Sequence, residues 1–94
     1  MIRIEQKDNG KKGRFILYEE DKKAGEMTYV WVDDYKIIID HTEVDPAYGG
    51  KGYGKELVLK AVDFARKQDI KIIPLCPFAK KVFDKDPDIQ DVRF

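Results

Sequence analysis

Over the first 44 residues, apolar and polar positions alternate in short runs separated by polar clusters, the period of half-buried strands. Ile2 to Gln6 alternate and predict an edge strand. Asp8-Asn9-Gly10-Lys11-Lys12-Gly13 predicts a turn, because Asn-Gly supplies the positive φ values of a tight hairpin. Arg14 to Glu19 predict a second strand, and Asp21-Lys22-Lys23-Ala24-Gly25 the next turn. Glu26 to Val32 predict a third strand, with Met27, Tyr29 and Trp31 on one face and Thr28, Val30 and Val32 on the other. Asp33-Asp34 then closes a hairpin into a fourth strand, Tyr35 to Val44, which contains the β-branched run Ile37-Ile38-Ile39.

After residue 50 the period changes. Leu57, Val58, Ala61, Val62, Phe64 and Ala65 recur at three-and-four spacing and predict a helix over Gly52 to Lys67. Ile70 to Leu75 predict a fifth strand, parallel to the fourth through a right-handed crossover. Pro74 has no N–H to give, so pairing is expected to end near it. Pro77 to Lys85 predict a short helix that Asp86-Pro87-Asp88 ends. The expected architecture is α+β: an antiparallel four-stranded meander, a crossover helix, a parallel fifth strand and a short C-terminal helix. With no linker, repeat or low-complexity run, residues 1–94 are expected to form one domain.

Composition narrows the partners. Lys+Arg and Asp+Glu are equal at 18 each, so no global field is expected to hold nucleic acid or an acidic membrane. No basic-then-apolar leader and no run of membrane-spanning length is visible. One cysteine and one histidine exclude an internal disulfide and are too few soft ligands for a structural zinc site. A cytoplasmic, metal-free monomer is the expectation.

The most informative stretch joins the fourth strand to the helix: Asp45-Pro46-Ala47-Tyr48-Gly49-Gly50-Lys51-Gly52-Tyr53-Gly54-Lys55, with four glycines within six positions. A strand entering a helix through such a loop aims bare backbone N–H groups and the positive end of the helix dipole at one point. That point suits a phosphate. A nucleotide hydrolase is excluded. Gly49, Gly54 and Lys55 mimic G-x-x-x-x-G-K-S/T, but Glu56 stands where a magnesium-binding hydroxyl belongs, and one strand–helix repeat is too little for a mononucleotide-binding sheet.

The run from Glu43 to Val58 resembles the acetyl-CoA-binding signature of the GNAT superfamily of N-acetyltransferases. That signature reads Arg or Gln, two residues, Gly, one residue, then Gly or Ala. Gly52-Tyr53-Gly54 match its second half, whereas Gly49 stands at the Arg or Gln position. His41-Thr42-Glu43-Val44 together with Pro74-Leu75-Cys76-Pro77-Phe78 look like a group of very small GNAT-like proteins. The resemblance runs from about Ile38 to Val92. It implies a fourth strand splayed from a parallel fifth, with a cleft for the pantetheine arm. It also implies that acetyl-CoA or coenzyme A is held by Val44, Gly49, Gly50, Lys51, Gly52, Tyr53, Gly54, Lys55, Cys76 and Phe78. Lys51 and Lys55 either pair with CoA phosphates or are solvated. Family members usually carry one or two helices between their first two strands, where this chain has only a turn. The acceptor side is therefore expected to be open.

Three residues are candidates for chemistry. In a regular strand His41 and Glu43 share a face with Ile37 and Ile39, and either is a candidate base for an amine or a polar strand-end residue. A bulge would change that face. Cys76 precedes Pro77 and sits like a helix N-cap, where the dipole favours the thiolate. It is either a nucleophile paired across the cleft with His41 or a small buried residue. The resemblance further aligns Cys76 with an Asn that touches pantetheine, and Phe83 with a Tyr that protonates the departing thiolate. Phe83 has no proton to give. The expected function is therefore acetyl-CoA-dependent N-acetyl transfer to an amine of a small molecule or protein, with an acyl-Cys76 intermediate as one route. The alternative is a CoA-binding module with little catalysis.

Overall fold

The computed structural model describes all 94 residues. Its sheet has five strands in chain order: β1 (Ile2–Asp8), β2 (Lys12–Glu19), β3 (Lys22–Asp33), β4 (Lys36–Val44) and β5 (Lys71–Pro74). The first four form an antiparallel meander, and β5 runs parallel to β4. The crossover is helix α1 (Tyr53–Gln68), and helix α2 (Pro77–Lys85) follows β5. Short 3-10 turns occupy Pro46–Tyr48 and Pro87–Val92.

One core joins the sheet to both helices. Phe15, Leu17, Met27, Tyr29, Ile37, Ile39 and Ile72 face Leu57, Val58, Ala61 and Val62 of α1 and Ala79 and Phe83 of α2, all fully or almost fully buried. Each large aliphatic side chain so buried contributes about 1.5–3 kcal/mol. Phe15, Tyr29, Trp31 and Phe64 pack tilted or edge-on against one another at centroid distances of 5.5–6.4 Å. Asp69 ends α1 in the left-handed region at φ 56°.

Two expectations change. Residues 22 to 25 are not a turn: β3 starts at Lys22, and residues 20 and 21 alone reverse the chain, with Glu20 at φ 57°. Gly25 is a glycine because it is crowded. A Cβ there would stand 3.1 Å from the Glu43 carbonyl oxygen and 3.3 Å from Leu57. The Asn-Gly reversal spans three residues, 9 to 11, with the Asn9 Oδ1 accepting from the N–H groups of Lys11 and Lys12. The C-terminal stretch packs back against the helices and β5. Ile89 and Val92 are buried, Asp91 pairs with Arg66 at 2.9 Å, and the Phe94 N–H donates to the Ile72 carbonyl at 2.9 Å.

Candidate functional site

The site grows from the place where β4 and β5 part. Their ladder runs from Lys36↔Lys71 to Ile39↔Pro74 and stops there, as the missing N–H of proline dictates. The Ile39 carbonyl then accepts from both Leu75 N–H (3.1 Å) and Cys76 N–H (2.9 Å), which turns the chain away from β4. On its other side β4 breaks register at the same point. Thr28 pairs with His41 but Tyr29 pairs with Ile39, so Asp40 is a bulged residue.

That bulge overturns the face expected for two site residues. A one-residue insertion reverses the alternation beyond it. Thr42 and Val44, both half-buried, take the core side, while His41 and Glu43 project from the opposite, helix-free face with 64% and 77% of their side chains exposed. Their Nε2 and Oε2 atoms are 3.5 Å apart. His41 therefore does not pair with Cys76. The partner is Thr42, whose Oγ1 lies 3.6 Å from Sγ. Sequence reasoning passed over Thr42 because Asp40-His41-Thr42-Glu43 is polar throughout and carries no alternation to betray a bulge.

Cys76 is 6% exposed and is the N-cap of α2, with Pro77 at the first helical position. Burial pushes its thiol up, but the backbone N–H groups of Ala79 and Phe78 and the Thr42 hydroxyl hold it below the ordinary range overall. Its chain neighbours Leu75 and Phe78 are exposed apolar residues, at 66% and 41%. Phe83, by contrast, is fully buried.

The glycine loop lies beside this cleft. Asp45 begins it, anchored by its N–H to the Ala24 carbonyl at 2.8 Å and capping the 3-10 turn through Oδ1 to the Ala47 N–H at 2.9 Å. Gly50 (φ 80°) and Gly52 (φ 78°) take conformations that strain any side chain. Gly52 is the N-cap of α1 and has no side chain to cap with, and the first helical bond is Glu56 N–H to the Gly52 carbonyl at 3.1 Å. The amides of Tyr53, Gly54 and Lys55 are thus left bare at the positive end of the dipole. Gly54 lies under the Phe78 ring, where a Cβ would meet Cζ at 2.5 Å. One aromatic ring thus joins the amino-terminal end of α1 to the cysteine end of α2.

The lysines differ. Lys55 is exposed, but Lys51 donates to Glu19 at 2.8 Å. Glu19, in β2, was not a candidate from the sequence. A concavity of about 570 Å³ lined by Lys7, Arg14, Thr28 and Asp40 opens on the helix-free face and includes none of the loop residues.

Residues 14–92 match the family described as GCN5-related N-acetyl-transferase. The chain belongs to that family. Over 85 residues it is 33% identical to protein NATD1 of Gallus gallus, covering 77% of each chain. The match to NATD1 of Homo sapiens is also 33% identical and covers 65% of this chain and 54% of that one. Among solved structures, a GCN5-like N-acetyltransferase from Staphylococcus aureus is 39% identical with a TM-score of 0.76, over 98% of this chain and 87% of that one. A GNAT family acetyltransferase from Elizabethkingia anophelis, solved with acetyl-CoA bound, shares the fold at 13% identity, with a TM-score of 0.66 over 76% and 62% of the two chains. Acetyl-CoA is the acyl donor of GNAT enzymes. No helix here is long and apolar enough to cross a membrane.

Proposed function

We propose that this GNAT domain is an acetyl-CoA-dependent N-acetyltransferase. The observation that carries the reading is the contiguity of the bare amides of Tyr53, Gly54 and Lys55, the Phe78 ring and the cleft opened beyond Ile39 and Pro74. The diphosphate of coenzyme A is taken up by those amides together with the backbone of Gly49, Gly50 and Gly52, with Lys55 at the rim. The pantetheine arm passes Val44 and Phe78, and its sulfur ends near Cys76.

Transfer through Cys76 balances as a thioester exchange. The Cys76 thiolate adds to the acetyl carbonyl and a new carbon–sulfur bond forms. The bond to the coenzyme breaks, and the proton lost from Cys76 ends on the coenzyme thiol. Thr42, rather than His41, is the group beside that sulfur. His41 and Glu43 lie on the other face of β4 and are proposed as the base for an amine reaching the cleft from there.

A second reading, a CoA-binding module with little catalysis, is favoured by one observation. Phe83, in the frame position of the family's phenol, is buried and carries no proton. Titration with CoA and acetyl-CoA, read from the amide resonances of residues 44–55, tests binding. A slow single turnover with an amine panel separates the two readings. Absence of shifts in the loop ends both.

A further inference from the structure

Lys51 is the only side chain between the two positive-φ joints of the loop, Gly50 at 80° and Gly52 at 78°. Its Nζ is 2.8 Å from Oε1 of Glu19, at the end of β2 and 32 residues earlier in the chain. That carboxylate is largely covered, with 22% of its side chain exposed. The same ammonium lies 5.5 Å from the Tyr48 ring centre and 5.9 Å from that of Tyr53, aromatic residues on either side of the glycines. The two rings are 6.2 Å apart. Burial, then the neighbouring Glu19 carboxylate, raise the Tyr53 phenol above its ordinary value. The Lys51 hydrogen bond in turn holds Glu19 below the usual carboxylate range.

A lysine engaged by one carboxylate and two rings is not free to neutralise a phosphate. We propose that Glu19 is a positioning residue for the glycine loop. It acts through Lys51 and Tyr53 to hold the amides of Tyr53, Gly54 and Lys55 toward a diphosphate. Lys51 is a strut, not a phosphate ligand. This rests on the reading of the loop as the coenzyme A site and names what holds that site in shape. Asp45 fixes the entry of the loop to β3 through Ala24, and Glu19 fixes its glycine half to β2.

The sign of one substitution decides it. Removing the Glu19 charge by itself favours a polyanion, so a loss of affinity in Glu19→Gln can come only from the released loop. Ordering one freed loop segment on binding lowers affinity by roughly three- to tenfold. The experiment is calorimetric titration of CoA into the full chain at two salt concentrations, for wild type, Glu19→Gln, Lys51→Gln and the double variant. Amide exchange of residues 50–55 is followed in the same proteins. Both single variants should weaken CoA by roughly three- to tenfold, and the double variant no further. Both should exchange faster in the loop, and both losses should persist at the higher salt, where screening removes the through-space effect of either charge. Glu19→Gln binding as tightly as wild type or tighter, or a loss in Lys51→Gln that vanishes at the higher salt, overturns the proposal. A wild type that binds no CoA overturns the coenzyme reading itself, a result distinct from a binding wild type with indifferent variants.

Discussion

Two substitutions at Gly54, to alanine and to proline, separate what the cleft needs from what the fold needs. An ideal Cβ at Gly54 would stand 2.5 Å from Phe78 Cζ and 2.8 Å from Cε2, so the ring must withdraw by about 1 Å to reach ordinary contact. Phe78 is 41% exposed and sits at the start of α2, so it has solvent to swing into. Re-exposing about 40 Å² of the ring costs about 1 kcal/mol at ~25 cal/mol per Å². Against this, replacing a helical glycine by alanine gains about 0.5–1 kcal/mol. The two nearly cancel, and a net 0.5 kcal/mol moves the midpoint of a domain this size by about 2–4 °C. Binding depends on the amide itself. Gly54→Ala keeps the N–H, and the signature admits alanine there, so its affinity should stay near wild type. Gly54→Pro, in the first turn where proline is tolerated, removes one of the three bare N–H groups, and losing one hydrogen bond to a charged group costs about 1.5–3 kcal/mol, on the order of ten- to a hundredfold in affinity. Thermal melts by circular dichroism and calorimetric titration with CoA measure the two effects side by side. Wild-type affinity in a folded Gly54→Pro variant would refute the assignment of these amides. A Gly54→Ala midpoint lowered by more than about 10 °C would refute the mobility argued for Phe78.

The remaining predictions concern the thiol, the phenol and the hairpin. Incubation with acetyl-CoA should add one acetyl group to the chain by intact-mass spectrometry, lost in Cys76→Ala, slowed in Thr42→Val and unchanged in His41→Ala. A slowed His41→Ala with a normal Thr42→Val would return the proton-accepting role to the histidine. Phe83→Tyr should lower stability by about 1–3 kcal/mol without raising turnover, because it buries a hydroxyl among apolar neighbours; a gain in turnover would count against the buried orientation of residue 83. Asp8 accepts from the Tyr29 hydroxyl (2.5 Å), Trp31 Nε1 (2.9 Å) and Gly10 N–H (2.6 Å). Asp8→Ala should therefore cost about 1–2 kcal/mol after discounting for solvent at this exposed residue. Burial raises the Asp8 carboxyl, but these bonds outweigh it and leave it below its ordinary value, so its contribution is present above about pH 4 and is lost as pH falls through the folded value. The buried Tyr29 phenol is shifted the opposite way, by burial and then by Asp8. Its contribution is present below about pH 10 and is lost as pH rises further. A pH–stability curve for Asp8→Ala with an unchanged acid limb would disprove the network.

The architecture was legible in the sequence because the signals that make it are local. Alternation marked the strands, the run Leu57-Val58-Ala61-Val62 marked α1, and Pro74 marked the end of the ladder. Gly25 misled because glycine serves close approach as well as reversal, and only the Glu43 carbonyl and Leu57 opposite it tell which. The site was half legible. Four glycines before an apolar helix point to an anion whatever the rest of the chain does. Which side of β4 His41 takes depends on one bulged residue in an all-polar stretch. The Glu19–Lys51 contact joins residues 32 positions apart, and no spacing rule reaches that far.

Sheet order that follows chain order also sets a sequence of assembly. Each strand of the meander can pair with the one before it by closing a short connection, an event of about 1–10 μs for a hairpin. β5 cannot join this way. It must wait for α1 to cross over, and it then gains only four residue pairs with β4. The segment bearing Cys76 is thus the least secured by its ladder. Native-state hydrogen exchange should find β5 opening at lower free energy than β2 and β3, so the strand bordering the divergence from β4 is also the one whose opening costs least.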